Sequence, residues 1–211
     1  MIDSLYPHEF QKLEHDDLLF RVARQRILNW WRAFYEHAVK VVKAGYEEFK
    51  LKHRNTTKAD IKKWAAKALD PDIGFAFWES PPTREDPTAH GNLQSIYILT
   101  TFAPHIAATA NSHYEECQPP IGALSMALTA VDFSFSVYTT GEYVPPKDKF
   151  DQEGVGHISD WHLKDAVLPA LKKHDQWSVF MERATQFSLD ESWIALPPVP
   201  TRNSLSCSNC L

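Results

Sequence analysis

Glycine is in short supply in this chain, with seven in 211 residues. None sits in a G-x-x-x-x-G-K-[ST] phosphate cradle or a G-x-S-x-G nucleophile turn. That poverty argues against a nucleotide-binding loop and against the common serine-hydrolase geometry. Cysteine is scarcer still. Of three, Cys207 and Cys210 fall in the last five residues, so no disulfide framework can be built. Those two make one C-x-x-C, half a zinc site with no visible second half, and neither stands where a prenylated cysteine would. The opening residues, MIDSLYPHEF, have no basic flank leading into an apolar run. No secretory signal is therefore expected, and a reducing intracellular setting, cytoplasmic or nuclear, is the expectation.

Charge is nearly missing from one long stretch. IGALSMALTAVDFSFSVYTTG, residues 121–141, carries only Asp132. It is about long enough to span a bilayer, but its six Ser and Thr residues, its carboxylate and its Pro119-Pro120 entry point to a helix buried in protein. No membrane partner is expected.

What is plentiful is apolar and aromatic surface: 44% hydrophobic residues, including seven Trp, seven Tyr and twelve Phe. That is enough for one full core and excludes wholesale disorder. The net charge of -5 is unevenly spread. Between Lys40 and Lys67, nine basic residues face three acids, a net +6 that leaves -11 for the remainder. Lys50, Arg54, Lys58, Lys62 and Lys63 are thus a candidate basic surface for a polyanion. Nucleic acid is disfavoured as the partner, because Trp64 falls on an apolar stripe rather than among these cations, and the acidic remainder repels phosphate.

The periodicity is helical almost throughout. From about Asp17 to His53, Phe20, Ala23, Ile27, Trp30, Trp31, Phe34, Ala38, Val41, Val42 and Phe49 recur in steps of three and four. Asp16 and Asp17 would make an acidic first turn, and Gly45 marks a possible bend. NTTKADIKKWAAKALDPD predicts a short helix, with Thr57 and Asp60 at capping-box spacing and Pro71 as the stop. GFAFWESPPTREDPTAHGN, rich in Pro and charge, is expected to be a loop. A helix interrupted by Pro104 is expected next, with YILTTF leaving a strand as the alternative. The 121–141 stretch follows, closed by Gly141 as a left-handed cap. EYVPPKDKFDQEGVG reads as a loop and a further helix begins near Ser159, interrupted by Pro169, before Trp177, Phe180, Met181 and Ala184 at helical spacing. The expectation is an all-α fold. A single multi-helix domain, residues 16–190, has a long amphipathic N-terminal helix packed on a buried apolar central helix. Residues 1–15 lead in, and residues 191–211 form a tail containing Pro, Ser and Cys. Trp30, Phe34, Val41, Val42, Leu124, Leu128, Val131 and Phe135 are expected to share one core.

Several residues together carry a resemblance. The small apolar helix ALSMALTAVDFSFSVYTTG, ending in aromatic-x-x-Gly, precedes an isolated Phe150 and then Trp161-His162-Leu163. With the Arg-rich first helix and His90 ahead of Ile96 to Phe102, this resembles an uncharacterised domain-of-unknown-function family abundant in mushroom-forming (basidiomycete) fungi, over roughly residues 15–185. The resemblance implies a helical, fungal, intracellular protein and no particular activity.

Candidate sites remain few. Asp132, in an apolar helix, needs a hydrogen bond, a basic partner or a proton; Arg21, Arg24, Arg26 or Arg32 could supply an ion pair, which makes it a structural anchor. The enzymatic alternative places Asp132 with His90 between the central helix and the His90 loop. If residues 104–117 are helical, His105, His113 and Cys117 share a face with Glu116 nearby, a possible zinc site; no cofactor is otherwise expected. Pro197-Pro198-Val199-Pro200-Thr201-Arg202 fits a polyproline ligand pattern. The reading is a non-enzymatic helical interaction module whose partner is a protein or a second copy of itself.

Overall fold

Apolar residues three and four apart become one unbroken helix, α1 (Leu18–Lys52), in the computed structural model, which describes residues 18–109 and 119–189. At about 1.5 Å per residue such a helix is on the order of 50 Å long, and it runs straight through Gly45 without ending. Asp16 and Asp17 lie outside the described residues. Thr57 then caps α2 (Lys58–Ala68) as its sequence predicts: its side chain accepts from the Asp60 N–H while the Asp60 carboxylate accepts from the Thr57 N–H at 3.0 Å. Ile61, Trp64, Ala65 and Ala68 are the buried stripe.

The segment expected to be a loop contains a small hairpin. β1 (Trp78–Ser80) pairs antiparallel with β2 (His90–Asn92), Trp78 opposite Asn92 and Ser80 opposite His90. Three residues per strand are too few for an alternating pattern to show in sequence. Leu93, immediately after, holds φ +61°, a left-handed conformation uncommon for a branched side chain. Ser95 then accepts from the Ile98 N–H at 3.2 Å and caps α3 (Ile96–Thr109). YILTTF is helical, not a strand, and the helix continues past Pro104.

α4 (Ile121–Ser136) is buried on every side from Ala123 to Val131. It ends five residues earlier than the expected cap. Gly141 does have positive φ, +91°, but its role is passage rather than capping: a Cβ there would stand 2.3 Å from the Lys58 carbonyl oxygen at the start of α2. α5 (Gln152–His162) begins seven residues before the expected Ser159, because Asp151 caps it by accepting from the Gly154 N–H at 3.0 Å. The sequence alone places Gly154 in a loop. It is required because a Cβ would meet the Lys149 carbonyl oxygen at 2.0 Å. A π-turn, Leu163–Val167, follows, then α6 (Leu168–Lys172) and α7 (His174–Leu189). In the π-turn the Leu168 N–H reaches back five residues to the Leu163 carbonyl. Pro169 has no N–H and its ring crowds the carbonyl four residues back, so a widened turn relieves the conflict.

α4 is the hub, with α1, α3, α5, the π-turn and α2 all packed on it, while α7 lies on α3 and α6. The expected core forms: Phe34, Val41, Val42, Leu124, Leu128, Val131 and Phe135 are buried in one cluster, and Trp30 packs against it half-buried. The fold is all-α apart from the hairpin. Among the described residues no helix is long and apolar enough to cross a membrane.

Candidate functional site

Asp132 does not meet an arginine of α1. Its Oδ2 lies 3.1 Å from Nε2 of His162, the last residue of α5. The imidazole is almost wholly buried, the carboxylate about a quarter exposed. A carboxylate accepts, so Nε2 carries the hydrogen and Nδ1 is the other ring nitrogen. Phe77 and Trp161 flank the ring, with centroids 5.7 and 4.7 Å away. A second polar link joins the same helices: the Ser125 hydroxyl of α4 donates to the Ser159 carbonyl of α5 at 2.7 Å. Orientation of a histidine by a carboxylate is half of the triad arrangement. Among the described residues no hydroxyl or thiol hydrogen-bonds to His162.

His162 also lines a cleft of about 390 Å³. Phe77, Leu93, His162 and Ala170 are its buried parts, Trp78 and Trp161 its larger rings, and Asp72, Asp165 and Lys173 its exposed charges. Two local irregularities meet there, the left-handed Leu93 and the π-turn that carries Asp165 and Ala166. Strained backbone of this kind concentrates at ligand-binding positions. The Trp78 indole nitrogen is buried with no acceptor among the described residues. Leaving such a donor unpaired costs about 1–3 kcal/mol.

A family model described as Domain of unknown function (DUF6532) matches residues 3–166. The chain belongs to this DUF6532 family. No curated protein and no solved structure matches it. The matched part of this DUF6532 chain takes in Asp72, Trp78, Asp132, His162 and Asp165.

His90 sits on β2 with its Nε2 3.2 Å from Asp86 Oδ2, both exposed. It therefore has a partner, and that partner is not Asp132; the two residues of the enzymatic alternative are engaged separately. His105 on α3 accepts from the Trp30 indole N–H on Nδ1 at 3.3 Å and packs beside Phe34 and Phe102. Burial pushes its pKa below the ordinary histidine value. His113, Glu116 and Cys117 lie outside the described residues, as do Cys207, Cys210 and the polyproline-like segment. Among the described residues no three His, Cys, Asp or Glu side chains are grouped to hold a metal.

The basic surface is partly neutralised where it stands. Lys50 pairs with Glu47 at 3.4 Å and stands over the Tyr46 ring, and Lys58 pairs with Glu142. Arg54 and Lys63 share a shallow depression with Asp60. Lys62 has no ion pair among the described residues.

The N-terminal end of α1 stands apart from the core. From Arg21 to Asn29 every residue is exposed, and the same helix is buried at Phe34, Ala38, Val41 and Val42. Leu18, Val22, Ile27 and Leu28 are 72%, 52%, 55% and 41% exposed. Arg21, Arg24 and Arg26 stand among them, with no acid between Leu18 and Trp31.

The residues that sequence reading missed are His162, Trp78, Asp72 and Asp165. His162 was visible inside Trp-His-Leu, next to a helix broken by Pro169, but nothing in its neighbourhood names Asp132, thirty positions away.

Proposed function

We propose that this DUF6532 chain is a non-enzymatic helical interaction module, and that the occupant of its exposed α1 end is a second copy of the chain. The observation that carries this is the exposure of Leu18, Val22, Ile27 and Leu28 on a helix whose other half is core. At about 100° per residue, Val22, Ile27 and Leu28 point in three directions, so the end is not a single face laid on its own body. A helix end that is apolar on several sides is one that packing ordinarily covers. Charge supports a like partner: residues 18–31 are +3 and the rest of the chain is -8, so the basic end of one copy complements the acidic remainder of another. We also place the protein inside the cell, on its cysteine usage, and in mushroom-forming fungi, on the resemblance described above.

Sedimentation of the full chain from about 1 to about 100 µM tests this. A reversible dimer is expected, shifted to monomer by Val22→Glu with Ile27→Glu while the far-UV circular dichroism stays unchanged. A wild-type chain that stays monomeric across that range overturns the self-association. A dimer indifferent to both substitutions places the interface elsewhere. Binding to anionic vesicles in place of self-association would replace the reading with a membrane-surface one.

A further inference from the structure

We propose that the cleft between the β1–β2 hairpin and the π-turn is a binding site for a small organic amine, cationic at neutral pH and carried on a flat apolar body. The walls supply the apolar part. Phe77, Trp78 and Trp161 place three aromatic rings around about 390 Å³, within the range of small-molecule pockets. Trp161 is 46% exposed, so its ring is open to a ligand rather than consumed by packing. Aromatic faces attract cations as well as apolar groups, because the ring quadrupole is negative above its plane.

The charges select the sign. Asp72 and Asp165 both line the cleft, one from the segment after α2 and the other from the π-turn, and neither carboxylate has an ion pair among the described residues. Lys173 is the single Lys or Arg of the lining. Two carboxylates against one ammonium, beside aromatic faces, favour a cation over an anion. Asp165 and Ala166 reach the cleft from within the π-turn, whose widening accommodates Pro169, a residue that could not complete a regular helix. Leu93, held left-handed, closes the cleft beside Asn92.

The test uses one body with three charges: 2-phenylethylamine, 2-phenylethanol and phenylacetate, titrated into the 15N-labelled full chain. The readout is the indole N–H resonances of Trp78 and Trp161, assigned by Trp78→Phe and Trp161→Phe. The amine should shift both signals saturably, and bind about tenfold more tightly than the alcohol or the carboxylate. Asp72→Asn with Asp165→Asn should reduce the amine to the affinity of the alcohol. Both positions are exposed, so the fold has no stake in either charge, and an unchanged melting curve verifies this. Phenylacetate binding as tightly as the amine overturns the proposal and assigns the cleft to anions through Lys173. An amine affinity unchanged in the double variant overturns the role of the carboxylates, and no response of either indole to any probe at about 1 mM overturns the site. None of these outcomes depends on the oligomeric state.

Discussion

Nε2 of His162 lies 3.1 Å from Oδ2 of Asp132, so the only charged residue of α4 is bonded to the end of α5. The pair solves a local problem for both helices. A carboxylate on an otherwise apolar helix needs a donor, and a buried imidazole needs an acceptor. Asp132→Ala removes the acceptor and strands His162, which should cost about 1–3 kcal/mol in denaturant unfolding. Asp132→Asn keeps a carbonyl oxygen in place and should cost less. Equal losses for the two variants would show that packing, not the hydrogen bond, joins the helices.

Leu128 is fully buried at the centre of α4. Leu128→Ala should destabilise by about 2–5 kcal/mol, the transfer loss plus the cavity left behind. A change within about 0.5 kcal/mol, ordinary for a surface site, would show that α4 is not the hub.

Two glycines at opposite ends of the 121–141 stretch should respond oppositely. Gly141 has φ +91° and no room for a Cβ against the Lys58 carbonyl, so Gly141→Ala should cost about 1–3 kcal/mol. Gly122, in the first turn of α4, has nothing within 4 Å of an added Cβ. Gly122→Ala should be neutral or stabilising by up to about 1 kcal/mol. Thermal melts of the two variants side by side decide whether the close approach to α2 is real.

Burial holds the pKa values of His105 and His37 below the ordinary 6.5, with Lys40 adding to the effect at His37. Below pH 6.5 the unfolded chain therefore binds more protons at these positions than the folded one. Their contribution to stability is fully present above pH 6.5 and is lost as pH falls through the depressed folded values. Urea midpoints measured from about pH 7.5 down to about pH 5 should fall, and His105→Phe should flatten that fall. An identical slope in the variant would mean that His105 is as easily protonated folded as unfolded.

Nucleic-acid binding through Lys50, Arg54, Lys58, Lys62 and Lys63 should be undetectable at about 0.15 M salt, where screening acts over about 8 Å. Glu47 and Glu142 already occupy two of the five cations. Five free contacts would give a log–log salt slope of roughly -4 on duplex DNA. A slope of that size, abolished by reversing the five charges, would make the basic segment the functional surface.

The local features were readable because they depend on neighbours in the chain. The repeat of Phe34, Ala38, Val41 and Val42, the Thr57–Asp60 capping box and the apolar run of α4 each follow from the geometry of one helix, so sequence by itself determined an all-α core and most of its members. It misplaced the start of α5, because Gly154 looks the same whether it relieves a loop or lets a capped helix approach Lys149. It left the hairpin out, because three-residue strands have no pattern to read. The partner of Asp132 was beyond sequence altogether. The arginines of α1 were plausible on charge alone, and only the packing of α5 on α4 brought His162 within a hydrogen bond. The cleft was decided the same way: Asp72 and Trp78, then Leu93, then Trp161 with Asp165 come from three separated stretches of chain, and they meet where the hairpin faces the end of α5 and the π-turn. Helical periodicity is written in steps of three and four residues, whereas a site assembled across some ninety positions exists only once the helices have packed.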